Sequence, residues 1–541
     1  MLSYLSRRLA QIGTGHQIQL QGAPSDDRII PSATIHDLPA ELLVEISKYI
    51  PEQSDLYSLC VASKPLGSAA TPCLYHSIIV DRDARRLHKL VRTLSRAPSL
   101  AKHIKCIQLH LPAEGNIATP ARADLISFLE FILPLASHDS WFHRKLANAL
   151  RRGSYDGFAI LLLLLATEVD EMDLAVEGGR AAFLQANDKF NCQRFSDLVA
   201  TLITWTASSD PTQANSTSSI VRPKSALSNV QKLRFFPDVD SECIEDELSE
   251  GHSQAVYPFE YMSLPRLEDL QAYGSAPWHD ISPNYGQANA HITRLHLDWV
   301  SMDSENVGLA IQTCHKLVEL HVSWDHSVLD LKLSSESIDL DNIRPALNQH
   351  ADTLERLELL FSAEDIYPVL VRGDIGALSH FSALEILRID ETFLFSSEVS
   401  DFIFDWEPLR SFQRASGVLP PNLKEFWFES RKHTSAATVY EVLTTIGTML
   451  PVNLSYLRVS FGYTHNNDGM DHADCCHSLS FHSAVTGVAC RGTPTVPYHM
   501  VLTVNVDHRD SVLTGLREAT TTDLMKALRE GLGEEGGESD E

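Results

Sequence analysis

The sequence predicts an α/β protein in which a small N-terminal helical module precedes a long array of strand-and-helix repeats. Three observations lead to this fold class. Three short apolar segments with helical spacing lie between Ile35 and Val80. A six-residue pattern, apolar-x-x-apolar-x-apolar, then recurs ten times between Ile104 and Val459. Stretches of helical character separate several of these motifs, which is typical of repeat architectures.

Composition excludes several classes of protein. The 541 residues include 44 Lys and Arg against 71 Asp and Glu, a formal net charge of −27. Binding to nucleic acid or to an anionic membrane needs clustered cations, so neither partner is expected. Nine cysteines without framework spacing predict reduced thiols. The longest strongly apolar run, residues 158–166, is too short to cross a bilayer. We expect a soluble protein of the cytoplasm and/or nucleus.

Residues 34–80 predict a three-helix module that follows a disordered tail over residues 1–33. Pro39 suits the first turn of a helix, because its missing N–H costs nothing there. Apolar residues then recur at helical spacing at Leu42, Leu43, Ile46, Tyr49 and Ile50. Pro51 ends this helix, and Pro72 is expected to break or restart the third one. Three short helices cannot bury all these side chains among themselves, so one face must pack against the rest of the chain or a partner.

The same segment carries a family resemblance. Its residues Leu38-Pro39, Glu41-Leu42-Leu43, Ile46, Tyr49-Ile50-Pro51, Asp55-Leu56, Leu59 and Pro72-Cys73-Leu74-Tyr75 agree in register with an F-box, which the segment resembles. An F-box docks onto a Skp-type adaptor and through it onto a cullin–RING ubiquitin ligase. The resemblance implies that the adaptor contact is made by Leu38, Pro39, Leu42, Ile46, Ile50, Leu56 and Leu59. Lys64-Pro65-Leu66 stands where the family has a basic-x-Trp stretch, so the aromatic anchor is missing.

Residues 81–530 are predicted to form the repeat array. Its motifs begin at Ile104, Val169, Val230, Leu267, Ile292, Leu317, Leu354, Leu384, Leu423 and Leu454. Two successive spacings are 25 residues, within the usual leucine-rich-repeat length of roughly 20–29. The longer gaps before Val169 and Val230 predict one hidden degenerate unit in each. The array resembles the irregular leucine-rich repeats of F-box proteins, and the alternative is an ordinary α/β domain with a parallel sheet.

Polar insertions interrupt the array. Residues 208–219 and 274–290 are predicted loops, and residues 238–250 carry seven acidic side chains. A strand over residues 500–506 and a helix from Thr522 are expected near the end of the array. Residues 531–541 are predicted to be an acidic disordered tail, because charge runs of this kind are usually solvated.

The residues between the apolar positions of each motif are predicted to face the concave side of a solenoid, where such proteins usually bind their ligands. The candidates for binding a target are Arg294, His296, Glu319, His321, Arg356, Arg388, Trp427, Tyr456 and Arg458, together with Asp298, Ser323, Glu358, Asp390, Glu425, Glu429 and Ser460. Trp427 stands out, because it points outward between the inward-facing Phe426 and Phe428, and Trp is frequent at binding hot spots. The alternative for Trp427 is that an insertion covers it.

Catalytic signatures are absent from the sequence. The common phosphate-binding, esterase and zincin motifs do not occur. A cluster with the composition of a zinc site contains His465, Asp468, Asp471, His472, Asp474, Cys475, Cys476, His477 and His482. Adjacent cysteines are poor chelators, so we interpret it as a polar loop. No metal, cofactor or catalytic residue is predicted.

Two functional hypotheses follow. The first is a non-catalytic substrate receptor of an SCF-type cullin ubiquitin ligase, which holds a protein target near ubiquitin that is activated elsewhere. The second is an interaction scaffold that carries an F-box without a role in ubiquitin transfer. A metal-dependent enzyme is a distant third. An acidic receptor with few arginines on its concave face argues mildly against recognition of a phosphorylated target.

Overall fold

The computed structural model describes a defined part of the chain. This part comprises residue 35 and residues 38–81, 83–111, 119–137, 140–177, 202, 226–238, 262–273, 291–300, 304–324, 338–361, 371–373, 375–394, 419–433, 456–463, 485–491 and 498–505. Both predicted tails, the loops at residues 208–219 and 274–290, the acidic residues after Asp238, the Cys/His cluster and the predicted helix from Thr522 lie outside the described residues.

Helices occupy the N-terminal module and the connections between strands. They are α1 (Ala40–Lys48), α2 (Gln53–Ala62), α3 (Lys64–His76), α4 (Ala84–Arg96), α5 (Pro98–Ala101), α6 (Arg122–Ile132), α7 (Ser140–Arg152), α8 (Tyr155–Leu165), α9 (Ser304–Thr313), α10 (Leu340–Asn348) and α11 (Glu391–Leu394). A 3₁₀ helix over Leu133–Ser137 follows α6.

The strands are short and regularly placed. They are β1 (Ser77–Val80), β2 (Cys106–Leu111), β3 (Glu171–Glu177), β4 (Lys232–Asp238), β5 (Asp269–Tyr273), β6 (Arg294–Val300), β7 (Glu319–Trp324), β8 (Ile338–Asp339), β9 (Arg356–Phe361), β10 (Val371–Arg372), β11 (Ile386–Asp390), β12 (Glu425–His433), β13 (Tyr456–Tyr463), β14 (Val485–Arg491) and β15 (Tyr498–Asn505).

One large sheet dominates the described residues. Its order is β1-β2-β3-β4-β5-β6-β7-β9-β11-β12-β13-β15-β14, and β8 pairs only with β10. All neighbours from β1 to β13 are parallel, and β15 and β14 join antiparallel at the end. The chain is therefore a mixed α/β protein with a large parallel sheet, as predicted. From β1 to β13 its strand order follows chain order, whereas a doubly wound sheet reverses direction at a switch point.

The ten motifs predicted from the sequence are all strands, and each strand begins two residues after its motif begins. The expectation of hidden units in the two long gaps is wrong. Strand β2 pairs directly with β3, and β3 pairs directly with β4, so no strand lies between them. The first gap instead contains α6, α7 and α8. In the first gap, the extra length between motifs is a longer helical connection between two neighbouring strands.

Successive strands are joined by a repeated hydrogen-bond arrangement. The carbonyl oxygen just before one strand accepts the N–H of the corresponding residue before the next strand and also the N–H that follows it. Gln231 O, for example, accepts Glu268 N at 2.8 Å and Asp269 N at 3.0 Å. The oxygens that accept such a pair are those of Lys105, Asp170, Gln231, Glu268, Thr293, Val318, Glu355 and Glu385. This shared carbonyl holds each new strand in the same register as the previous one.

Side chains just before the motifs strengthen these junctions between successive strands. Among the described residues, the side chain immediately before the motif donates to a backbone carbonyl of the preceding unit in three cases: Asn229 Nδ2 to Thr167 O at 2.9 Å, Thr353 Oγ1 to Leu317 O at 2.8 Å, and Asn422 Nδ2 to Ser382 O at 2.7 Å. These bonds satisfy carbonyl groups in the turns that lead into the strands.

The core lies between the sheet and its connecting helices. Apolar motif residues such as Leu295, Leu320 and Leu357 are fully buried, and they come from neighbouring strands in register. Helix α8 is buried at every position except Asp156, so the apolar run of residues 158–166 lies in the core. Among the described helices, none combines the length and the apolar character needed to cross a membrane.

The N-terminal module is built around α3, which packs against both α1 and α2. Leu43, Leu66 and Ala69 form its small core. Gly67 permits the close approach of α2 and α3, because a Cβ there would lie 2.7 Å from the carbonyl oxygen of Cys60. The module has no linker to the sheet, since α3 ends at His76 and β1 begins at Ser77.

The expected break at Pro72 is wrong, because α3 is continuous from Lys64 to His76. A proline inside a helix removes the N–H that would bond to the carbonyl four residues earlier. In α3 the helix persists because Ala69 and Ala70, just before Pro72, are buried and hold it in place. Pro65 lies in the first turn of the helix, where it is tolerated.

Helices α9 and α10 offer a test of close packing. A Cβ on Gly308 would lie 2.5 Å from the carbonyl oxygen of Asn342. We expect Gly308→Ala to lower the free energy of unfolding by about 1–2 kcal/mol, because overpacking outweighs the better helix propensity of alanine. Thermal unfolding measures the effect. Gln312→Ala, at an exposed position of α9, is the control, and equal melting temperatures for both variants would contradict the close contact.

Candidate functional site

The face of the sheet opposite the apolar core is polar, and its side chains form rows across the strands. We call the middle one the central row. From β2 to β13 it consists of Gln108, Asp173, Arg234, Gln271, His296, His321, Glu358, Arg388, Trp427 and Arg458. Because the register is maintained at each step, each of these side chains has a defined neighbour on either side.

The residues predicted to bind a target come together on this face. His296, His321, Arg388, Trp427 and Arg458 belong to the central row. The adjacent row, two residues earlier in each strand, contains Arg294, Glu319, Arg356 and Tyr456. All nine predicted residues therefore lie on two neighbouring rows between β6 and β13.

The prediction left out the part of this face that precedes β6. Arg234 donates two hydrogen bonds to Asp173 on the neighbouring strand, at 2.7 and 2.9 Å. Lys232 bonds to Glu171 at 2.8 Å in the adjacent row. The signal that identifies these residues was in the sequence, because the motifs at Val169 and Val230 have the same alternation of apolar and polar positions.

The centre of the face is a chain of charged hydrogen bonds around His321. Its Nε2 lies 2.6 Å from Asp298 Oδ1, and its Nδ1 lies 2.7 Å from Glu358 Oε2. Arg356 Nε donates to Glu358 Oε1 at 2.7 Å. Since both ring nitrogens of His321 face carboxylates, the imidazole is held as a doubly protonated cation.

The pKa values of this cluster agree with its geometry. Burial lowers the pKa of His321, but the hydrogen bonds to Asp298 and Glu358 outweigh burial and raise the pKa to about 9. Burial raises the pKa of Glu358, but the hydrogen bond from His321 and the charge of Arg388 lower it to about 2. The pKa of His296 is lowered by burial and then by the charge of His321. His321 and Glu358 are therefore both ionised near neutral pH.

Beyond this cluster, Trp427 is held between two arginines. The guanidinium carbon of Arg388 lies 3.8 Å from the centre of the Trp427 ring system, and that of Arg458 lies 4.7 Å from it. The flanking Phe426 and Phe428 are buried, as predicted, and Trp427 itself is half-buried. Arg388 and Arg458 come from the neighbouring strands β11 and β13. Cation–π contacts of this kind hold long arginine side chains in fixed positions.

The second candidate surface lies on the N-terminal module. We call Leu38, Leu42, Ile46 and Tyr49 the apolar stripe, because they follow one side of α1 at helical spacing. Their exposed fractions are 36%, 50%, 43% and 83%. In contrast, Leu43 on the opposite side of α1 is buried in the module core. The stripe is thus a helix face that the described residues do not cover.

The predicted adaptor-binding residues fall into two groups. Leu38, Pro39, Leu42 and Ile46 are exposed, and Ile50 is half-buried. Leu56 is buried, and Leu59 packs against the module core, so these two side chains stabilise the module itself. The prediction omitted the exposed Tyr57 and Val61 of α2. Their spacing of four residues is the signal that marks them as one exposed face.

Neither surface has the composition of a metal centre. Among the described residues, no group of three or more His, Cys, Asp or Glu side chains is placed to hold a metal ion. The Cys/His cluster that was weighed as a zinc site lies outside the described residues. What the two surfaces offer is binding chemistry: an exposed apolar helix face, and a sheet face with ordered charges and one stacked indole.

A scan of the chain against models of protein families gives no match, and a search of curated proteins gives none either. The two surfaces described above therefore carry the functional proposal.

The His321 cluster predicts a pH dependence of stability. The pKa of His321 is raised from 6.5 to about 9, so its contribution is complete below pH 6.5 and is lost as the pH rises through about 9. We expect His321→Gln to lower the free energy of unfolding by up to about 3 kcal/mol below pH 6.5. The melting temperature should therefore fall most in that range. The difference from wild type should shrink above about pH 9.

Thermal unfolding across this pH range measures the effect. The control is His380→Gln, because the His380 side chain is exposed and its Nε2 lies 2.9 Å from the amide oxygen Oδ1 of Asn348, with no carboxylate contact in the described part of the chain. A constant difference between wild type and His321→Gln over the whole range would contradict a protonated His321.

Proposed function

We propose that this chain is the non-catalytic substrate-recognition subunit of an SCF-type ubiquitin ligase, acting in the cytoplasm and/or nucleus. In this proposal the N-terminal module is an F-box that binds a Skp-type adaptor and through it a cullin. The sheet and its helices form an irregular leucine-rich-repeat solenoid, whose polar face binds a protein target for ubiquitination and proteasomal degradation. The observation that carries the proposal is the apolar stripe on α1.

Exposure of the apolar stripe to water is unfavourable in free energy. Leu42, Ile46 and Tyr49 are large apolar side chains, and each is 43% exposed or more. Burying such a side chain against a partner is worth about 1.5–3 kcal/mol. Contiguous apolar patches on a soluble protein are typical of interaction sites. The stripe includes Leu38, Leu42 and Ile46, which the F-box resemblance implies as contacts with the adaptor.

The repeat architecture supports the second half of the proposal. Strands from β1 to β13 follow one another in chain order, and a shared carbonyl forms the same junction at eight successive steps from β2 to β12. Units that contact only their sequence neighbours are the defining property of a solenoid. An ordinary parallel α/β domain gives no reason for eight identical junctions in succession.

The polar face suits a protein target. It presents charges of both signs beside the half-buried aromatic ring of Trp427. Trp and Arg are the side chains that most often dominate protein interfaces. In this role the chain performs no chemistry of its own. It accelerates ubiquitin transfer by holding the target close to the enzyme that carries activated ubiquitin.

The test is co-purification of the adaptor and the cullin with the full chain and with a Leu42→Asp, Ile46→Asp double variant. We expect the double variant to lose adaptor affinity by a factor of about 100 or more, since two buried contacts are replaced by charges. Lys64→Asp is the matched control, because it changes the net charge by the same amount at an exposed position at the start of α3.

The outcomes separate the hypotheses. Adaptor and cullin recovered with wild type and with Lys64→Asp, but not with the double variant, would support the ligase subunit. Adaptor recovered without cullin would favour the interaction scaffold. Equal recovery with all three proteins would place the adaptor contact elsewhere, and no recovery with any of them would contradict F-box function. Unchanged thermal unfolding of the variants excludes loss of the fold as the cause.

A further inference from the structure

The central row contains one arginine that has no carboxylate partner. Arg234, in the same row, is fixed by two hydrogen bonds to Asp173 on the neighbouring strand. Arg458 has Trp427 and Thr503 as its row neighbours, so the sheet offers it no such carboxylate. Within the described part of the chain, Arg458 donates no hydrogen bond and forms no ion pair, and its guanidinium lies against the ring of Trp427.

Arg458 is nevertheless held in place. Its guanidinium stacks on Trp427, whose ring also contacts Tyr456 at 5.5 Å between centroids. The Nε atom is shielded from solvent and has no acceptor, although the Arg458 side chain as a whole is only half-buried. A cation fixed before binding loses little conformational entropy when it meets an anion, so it is a preorganised donor.

Arg388 places a second cation on the other side of the same ring. Its Nη1 lies 3.4 Å from both carboxylate oxygens of Glu358, which is a long contact. Glu358 already accepts short hydrogen bonds from His321 and Arg356. Its carboxylate is therefore only a weak partner for Arg388. The Nε of Arg388 and the Nε1 of Trp427 also have no acceptor. Three N–H groups that lack an acceptor and are shielded from solvent therefore belong to the one stack.

We propose that the stack of Arg388, Trp427 and Arg458 binds one oxyanion of the target polypeptide, either a carboxylate or a phosphate monoester. This inference rests on the proposed function, in which the polar face binds a protein. Guanidinium groups pair with both oxyanions through charge-assisted hydrogen bonds. Glu425 lies in a flanking row, and its charge limits the site to a single oxyanion rather than a run of acidic residues. The two arginines that flank this one ring are the cations that a phosphorylated residue of the target would need.

The experiment uses the full chain and fluorescent pools of random peptides that differ at one fixed central residue: Glu, phosphoserine, Gln or Lys. Anisotropy measures binding of each pool. We expect wild type to prefer the Glu pool or the phosphoserine pool over the Gln pool by about tenfold. The preferred pool identifies the carboxylate or the phosphate as the source of the oxyanion.

Variants assign the preference to the stack. Arg458→Met should abolish it, whereas Arg234→Met, which removes an arginine already paired on the same face, should leave it unchanged. Trp427→Phe retains an aromatic platform and should keep most of the preference, and Trp427→Leu should lose it. Equal binding of the Glu, phosphoserine and Gln pools by wild type, or equal losses in Arg458→Met and Arg234→Met, would overturn the inference.

Failure here is distinguishable from failure of the ligase proposal. Adaptor recovery, measured on the same protein preparations, depends on α1 and not on the stack. Adaptor binding without a pool preference overturns the oxyanion site alone. A pool preference that Arg458→Met removes, without adaptor binding, overturns the ligase subunit and supports the site. Melting temperatures close to wild type for Arg458→Met and Trp427→Leu exclude unfolding as the reason for lost binding.

Discussion

A single backbone interaction sets the geometry of the sheet: at eight successive junctions from β2 to β12, one carbonyl oxygen before a strand accepts two N–H groups from the next unit. The bond fixes where each new strand begins relative to the last. A slip of one residue would exchange the buried and polar positions of an entire strand. Because the register holds from β2 to β13, apolar side chains meet only apolar neighbours in the core. Polar side chains form continuous rows on the opposite face.

Those rows explain how parallel strands carry so many charges. In the row that begins each strand, Glu171, Lys232, Asp269, Arg294, Glu319 and Arg356 alternate in sign across six neighbouring strands. Opposite charges on adjacent strands attract, whereas like charges would destabilise the pairing. The central row follows a different pattern, with paired charges towards its beginning and an aromatic ring between two arginines towards its end. Along its length the face therefore changes from an arginine paired with a carboxylate to arginines stacked on an aromatic ring.

Local patterns predicted the strands well and their surroundings less well. Each motif encodes its own alternation of buried and polar residues, so all ten strands and the inward direction of Phe426 and Phe428 could be read from the sequence. Gap length does not report what a connection contains, which is why α6, α7 and α8 were mistaken for a hidden unit. Pro72 was expected to break the third helix because proline has a low helix propensity. The helix continues because packing of the buried residues before Pro72 outweighs that propensity.

The candidate site shows the same division. Alternation placed all nine target-face residues on one side of the sheet, but it could not pair His321 with Asp298 and Glu358, since those contacts join different strands. On the module, helical spacing identified the apolar residues. It could not decide that Leu56 faces inward and Tyr57 outward, because that choice depends on how α2 sits against α3.

The direct passage from α3 into β1 has a mechanical consequence. His76 and Ser77 are consecutive, His76 O accepts the N–H of Lys105 at 2.9 Å, and the side chain of Gln53 bonds to Ser77 O at 2.8 Å. A hinge needs residues whose backbone can rotate, and here both are already tied to neighbouring elements. A molecule bound to α1 would therefore keep a fixed orientation relative to β1. Its distance from any strand of the sheet would be set by the number of strands between them, and not by the motion of a flexible linker.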